Sequence, residues 1–208
     1  MNTENKKKIV EELNLTFLKA GELSLLLRKQ GLIKEIKLDN TPVTNGDIEV
    51  NKIITNKIKE LTTEIPIVSE ESTSNKIKKN LKTFWLIDPI DGTHDYIHNK
   101  DEFTINAALI INNRPEIGII YAPAKKRLFY SYEKNLSFEL INNKEKELNC
   151  RKITNLGEVK AVSYSNELKP IIKEFHKKFN VTEYKRMKSS LKLCVVATGE
   201  YDLYVAEP

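Results

Sequence analysis

At 208 residues, the chain has room for one large domain or two small ones, and its 40% hydrophobic content can build a core. No apolar run approaches the roughly 20 residues of a membrane span. The N-terminus opens on an amphipathic pattern rather than the apolar stretch of a secretory leader, so the cytoplasm is the expected location, with peripheral attachment to the inner membrane left open. The net charge of +5 sits on lysines without interleaved aromatics. That disfavours a nucleic-acid-binding module and leaves a solvated surface with a mild pull on anionic small molecules.

In chain order, Ile9, Leu13, Phe17, Leu23, Leu26 and Leu27 fall at helical spacing and predict one amphipathic helix over residues 3–29, stopped by Gly31. A second helix is predicted to open at Thr44-Asn45-Gly46-Asp47, with Thr44 and Asp47 as a capping-box pair. Its buried face would carry Ile54, Ile58 and Leu61. Short strands follow at 65–68 and 83–87, then at 104–111, 116–121, 128–132 and 137–141. Asn112-Asn113 and Asn142-Asn143 serve as hairpin turns. The last third alternates a strand at 161–164, helices at 167–179 and 189–198, and a terminal strand near Leu203. The pattern predicts an α+β protein with a mostly antiparallel sheet, followed by a smaller α/β unit from about residue 135. Cys150 and Cys194 lack metal-ligand spacing, and Cys194 is expected to be a buried thiol.

The chemistry is concentrated in Trp85-Leu86-Ile87-Asp88-Pro89-Ile90-Asp91-Gly92-Thr93, preceded by Ser69-Glu70-Glu71-Ser72. Two apolar strands deliver acidic residues to turns, where they can end side by side. Hard divalent cations such as Mg²⁺ take oxygen ligands of this kind together with a substrate phosphate. Asp-Pro and Asp-Gly are also ordinary turn formers, and Asp47 could be a helix cap alone. His94 and His98 stand four apart, but Mg²⁺ disfavours imidazole, and both are expected to be partly exposed helix residues.

These segments resemble the inositol-monophosphatase-like superfamily of Mg²⁺-dependent phosphatases, and within it the 3'(2'),5'-bisphosphate nucleotidases. The similarity also rests on Asp39 through Asp47, Phe103-Thr104-Ile105-Asn106-Ala107-Ala108-Leu109 and Lys188-Ser189-Ser190-Leu191-Lys192-Leu193-Cys194. It implies an α+β fold layered as an α/β/α/β sandwich of the inositol-phosphatase/fructose-bisphosphatase type. Residues 1–134 would bind metal, and 135–208 would form a shortened substrate-binding unit. Two or three Mg²⁺ ions are implied, held by Glu70, Asp88, the Ile90 carbonyl and Asp91, with Glu71 in support. Asp47 and Thr93 would be the catalytic pair that orients and deprotonates the attacking water. Gly92 and Thr93 would face the phosphate. Substrate contacts would come from Glu70, Ile90, Asp91, Ser163, Ser165, Ser189, Ser190 and Lys192, although Lys192 could equally be a solvated helix lysine.

The implied activity is removal of the 3'-phosphate from 3'-phosphoadenosine 5'-phosphate, with a small phosphomonoester as substrate and a homodimer as an assembly open to the family. Three rivals stay open: an inositol-1-monophosphatase, an inactive remnant that binds metal and nucleotide, and, more weakly, a basic nucleic-acid-binding protein. The family pattern further implies an arginine after Asp202-Leu203-Tyr204 and then a Trp-Asp pair completing the second metal site. Ala206 stands at the arginine position, so a shortened chain with a weakened second metal site is expected.

Overall fold

A computed structural model describes residues 1–37, 40–71, 81–142, 144–154 and 158–206. Asp39, Ser72, Asn143, Glu207 and Pro208, which belong to predicted segments, lie outside the described residues. The chain divides into two compact units, Met1–Lys146 and Glu147–Pro208.

In the N-terminal unit, α1 (Thr3–Gln30) begins at Asn2, whose side chain accepts from the Asn5 amide at 2.9 Å. It ends at Gly31, whose φ of 103° suits a residue without Cβ. The predicted capping box forms at the start of α2 (Asn45–Leu61). Before α2, β1 (Lys34–Ile36) and β2 (Pro42–Thr44) make a hairpin that the sequence pattern had not signalled. Each strand is three residues long, and β1 is exposed throughout. Strands this short carry no measurable alternation.

Seven strands follow as one sheet in sequence order: β3 (Ile67–Ser69), β4 (Phe84–Asp91), β5 (Thr104–Ile111), β6 (Arg114–Ala122), β7 (Arg127–Glu133), β8 (Leu136–Ile141) and β9 (Lys144–Glu147). β3 runs parallel to β4, and β4 through β8 pair antiparallel. At the β5–β6 hairpin, Asn112 and Asn113 both adopt positive φ, 52° and 63°, the backbone that a two-residue hairpin turn demands. Alternate residues of the central strands, including Trp85, Ile87, Ile105, Leu109 and Ile119, join Leu13 and Phe17 of α1 and Ile54 and Ile58 of α2 in one apolar core. Trp85 is fully buried, and its indole N–H donates to Thr62 Oγ1 at 3.0 Å. This core fixes β4, and with it the acidic residues at its end.

α3 (Thr93–Ile97) follows β4 directly. The C-terminal unit has a parallel three-stranded sheet with β10 (Val159–Ser163) between β11 (Val181–Arg186) and β12 (Leu203–Tyr204), and it also contains α4 (Pro170–Lys178) and α5 (Leu191–Ala197). Strand β11 carries no strand signal in the sequence, because its Thr182-Glu183-Tyr184-Lys185 stretch is exposed and mostly polar. α4 starts three residues later than predicted, at Pro170, which needs no hydrogen-bond donor in the first turn. Cys194 is buried and Cys150 exposed.

Candidate active site

Two aspartates three positions apart would point to opposite faces of a regular strand. In β4 they do not. Asp88 pairs with Asn106 and Asp91 with Thr104, so β4 advances three residues while β5 advances two. The extra residue is a β-bulge, and it brings both aspartates onto one face. Pro89 lies inside it, where its missing N–H costs no ladder bond. The Thr104 hydroxyl donates to Asp91 Oδ2 at 3.5 Å. On the other side of β4, the parallel register with β3 continues through the Glu70 amide, which donates to the Ile87 carbonyl at 3.2 Å. Glu70 is thereby set beside Asp88.

Three carboxylates so placed repel one another. The Asp88 carboxyl is pushed up to about 8, first by burial, then by the charges of Asp91 and Glu70, with a hydrogen bond to Glu70 and the charge of Asp47 adding to the effect. Its Oδ1 is buried and has no hydrogen-bond partner among the described residues. A neutralising charge comes from Lys37, whose Nζ lies 2.7 Å from Glu71 Oε1 and 3.3 Å from Glu70 Oε1. Burial pulls the Lys37 ammonium down, but its bonds to Glu71 and the Glu70 and Glu71 charges outweigh that and raise it. Burial likewise raises Glu71, against the opposing pull of Lys37. Nothing in the Lys-rich sequence distinguished Lys37 from its neighbours; the β1–β2 hairpin carries it to the acidic end of β3.

Among the described residues, no three His, Cys, Asp or Glu side chains close into a ready-made metal cage. Mg²⁺ does not need one, because it takes one or two carboxylates and completes its shell with water and phosphate oxygens. An all-oxygen donor set, an unpartnered buried Asp88 oxygen and an ammonium drawn onto Glu70 and Glu71 are all compatible with a hard divalent cation.

Asp47 is held at the start of α2. Its Oδ2 accepts from the Thr44 amide at 2.8 Å and the Thr44 hydroxyl at 2.6 Å, and its Oδ1 lies 3.3 Å from Thr93 Oγ1. Thr93 Oγ1 also stands 3.0 Å from the Ile90 carbonyl oxygen. Asp47 is 1% exposed, and burial raises its pKa although the Thr44 and Thr93 bonds counter it. The cap and the contact with Thr93 therefore coexist in one carboxylate. Gly92, at φ 91°, makes the turn into α3, and a Cβ there would meet the Glu102 carbonyl oxygen at 2.9 Å. Tyr96 packs under this turn and donates to the Ser24 carbonyl at 2.6 Å. His94 has a largely exposed side chain, and its ring lies 4.3 Å from that of His98, tilted by 31°.

The remaining predicted site residues belong to the C-terminal unit. Ser163 ends β10; its hydroxyl is buried and unpartnered among the described residues, and its carbonyl accepts from the Met187 amide at 2.9 Å. Ser189 is buried, Ser190 precedes α5, and Ser165 is exposed and accepts from the Glu167 amide. Lys192 turns its ammonium to the carbonyls of Lys188 and Ser189, at 3.0 and 3.2 Å, and lies over the Tyr204 ring.

The Inositol monophosphatase family profile matches residues 6–208. The chain belongs to that family. It is 34% identical over 175 residues to the 3'(2'),5'-bisphosphate nucleotidase CysQ of Buchnera aphidicola, a match covering 81% of this chain and 63% of the relative. With the protein of the same name from Haemophilus influenzae, it shares 32% identity over 213 residues, covering 99% of this chain and 77% of the other. The chain thus spans a little under two thirds of the Buchnera relative's length and about three quarters of the Haemophilus one. Among solved structures, it resembles CysQ from Bacteroides thetaiotaomicron with a TM-score of 0.70 at 26% identity, covering 95% of this chain and 78% of that one. A Thermotoga maritima IMPase matches with a TM-score of 0.73 at 24% identity, covering 90% and 71%, and supports the α+β fold of the family.

Proposed function

We propose that this family member is a divalent-cation-dependent phosphatase that removes the 3'-phosphate of 3'-phosphoadenosine 5'-phosphate or a close bisphosphate nucleotide. The observation that carries this reading is the bulged end of β4, which sets Asp88 and Asp91 on one face beside Glu70 and leaves a buried carboxylate oxygen unpartnered. The nucleotide preference rests on the similarity to relatives named bisphosphate nucleotidases.

In this reading Glu70, Asp88, Asp91 and the Ile90 carbonyl would hold Mg²⁺, with Glu71 bound to Lys37 at the edge of the site. When bound, the cation acidifies a water and neutralises charge on the phosphoryl and leaving oxygens of an in-line displacement. The protein's own work is positioning and proton handling. Thr93 Oγ1 stands between the Ile90 carbonyl and Asp47 Oδ1, so it can accept a proton from an attacking water and pass its own to the carboxylate. Burial has raised Asp47 in readiness for that proton, and Thr44 fixes its other oxygen. Gly92 makes the turn into α3 without the clash that a Cβ would meet at the Glu102 carbonyl oxygen, and Gly92 and Thr93 are the proposed phosphate-facing residues. Ser163, Ser190 and Lys192 are the proposed nucleotide contacts, with Lys192 as a point charge for the 5'-phosphate.

No helix among the described residues is long and apolar enough to cross a membrane. A small phosphomonoester as substrate, the cytoplasm and a homodimer belong to the same proposal. Phosphate release from 3'-phosphoadenosine 5'-phosphate and from inositol 1-phosphate, each with Mg²⁺ and with EDTA, tests it. Faster Mg²⁺-dependent turnover of the nucleotide is expected, and faster turnover of inositol phosphate would reverse the assignment. Mg²⁺ uptake without turnover of either substrate would favour a binding protein.

A further inference from the structure

The face of the sheet that carries Asp88 also carries a polar group close to it that the proposed machinery does not use. Asn106 of β5 lies directly across from Asp88, one pair along from the Thr104–Asp91 partnership. Opposed residues of an antiparallel pair share a face, with Cβ atoms about 4.5–5.5 Å apart. Asparagine is a poor strand former, and the β5 neighbours Ile105 and Ala107 turn into the apolar core, so backbone preference does not account for an amide here. Asn106 Oδ1 is buried and, like Asp88 Oδ1, has no hydrogen-bond partner among the described residues. Asn106 Oδ1 can only accept, and the ionised Asp88 carboxylate that a cation would meet also only accepts, so in that state neither oxygen satisfies the other. Two unpaired acceptors on facing residues leave room for a donor or a cation brought from outside.

We propose that Asn106 is a positioning residue of the cation site, and that its amide oxygen completes the oxygen-lined face through which Asp88 meets a hydrated Mg²⁺. The inference rests on the phosphatase reading of this site. It differs in predicting a trade: the amide is a cost to the cation-free protein and a benefit to the loaded one. Thr104 does the corresponding work for Asp91 by donating its hydroxyl to the carboxylate, whereas Asn106 offers an amide oxygen left unpartnered among the described residues. Groups that orient metal-binding carboxylates typically change affinity by about 10–100-fold when removed.

The test is Mg²⁺ titration calorimetry and thermal melting of the full chain, with Asn106→Leu and Asn106→Asp beside the unchanged protein. Asn106→Leu should weaken Mg²⁺ binding about tenfold while leaving the melting temperature in EDTA equal or higher. Asn106→Asp should retain Mg²⁺ binding, melt lower than the unchanged protein in EDTA, and gain more on adding Mg²⁺. Unaltered Mg²⁺ affinity in Asn106→Leu would overturn the inference, as would a fall in its EDTA melting temperature, which marks a purely structural amide. If Asn106→Leu does not fold, that too marks the amide as structural and overturns the inference. Should the unchanged protein take up no Mg²⁺, the phosphatase reading itself fails. That outcome is distinct from one in which the unchanged protein and Asn106→Leu bind Mg²⁺ equally.

Discussion

Two aspartates with opposite surroundings separate the chemistry of this chain from its scaffolding. Asp88 in the N-terminal unit faces Glu70 and Asp91, and burial with their charges pushes it up to about 8. Asp202 in the C-terminal unit is gripped by Arg151, Nε to Oδ1 at 3.0 Å and a second guanidinium nitrogen to Oδ2 at 2.6 Å, and it also accepts from the Lys160 amide at 2.8 Å. The Arg151 bond holds Asp202 below the usual carboxylate range. Asp202 is satisfied within the protein and ties the start of β12 to β10. Asp88 faces like charges and keeps one oxygen unpartnered among the described residues, and an acidic group that the fold leaves so uncompensated is a candidate for work on something brought from outside.

The contrast can be broken or sharpened by experiment. The largest expected effect is on Asp88→Asn, which should cost at least about a thousandfold in Mg²⁺-dependent phosphate release, since a carboxylate supplies several kcal/mol of charge at such a site. The same variant should melt higher than the unchanged protein in EDTA at pH 8, whereas Asp202→Asn should melt lower. Equal and opposite failure of those two melts would erase the distinction drawn here. Next, Thr93→Ala should lower turnover by about 10²–10⁴-fold with a much smaller change in Mg²⁺ affinity, measured by calorimetry on the same sample. A parallel loss of both would make Thr93 a part of the metal site rather than a proton carrier.

Smaller effects concern pH. A carboxyl raised in the folded state contributes stability that is present below its ordinary value near pH 4 and lost as pH climbs towards about 8. In EDTA, melting temperature should therefore fall across that window, and Mg²⁺ should restore more at pH 8 than at pH 5.5, because the cation displaces the proton. Asp202 has the opposite sign: its contribution is present above pH 4 and is lost as pH falls further, below the ordinary carboxylate range. The smallest effect expected is for Arg151→Met, a slight lowering of melting temperature at neutral pH with the acid-side loss flattened. An unchanged acid-side slope would detach Asp202 from Arg151.

Much of the N-terminal unit was legible because its signals are local. The helical spacing from Ile9 to Phe17, the Thr44–Asp47 capping box and the paired Asn112–Asn113 turn each need only a few neighbouring residues, and each appears where the pattern places it. The acidic motif also announced its residue types, since carboxylates flanked by Pro and Gly after an apolar strand are visible in one dimension. β1, β11 and Lys37 were not legible: short or polar strands lack a period, and one lysine among many carries no mark. The three-residue spacing of Asp88 and Asp91 would even mislead, because a regular strand would separate them.

Composition and order alone establish an α+β chain with oxygen donors gathered near two strand ends. Tertiary pairing decides the rest. The bulge against β5 turns Asp88 and Asp91 to one side, the parallel register with β3 brings Glu70 alongside, and the β1–β2 hairpin delivers an ammonium to Glu70 and Glu71. Those placements depend on hydrogen-bond register between segments distant in the chain, which no run of neighbouring residues encodes, while propensity and capping act within a few residues and can be read in sequence.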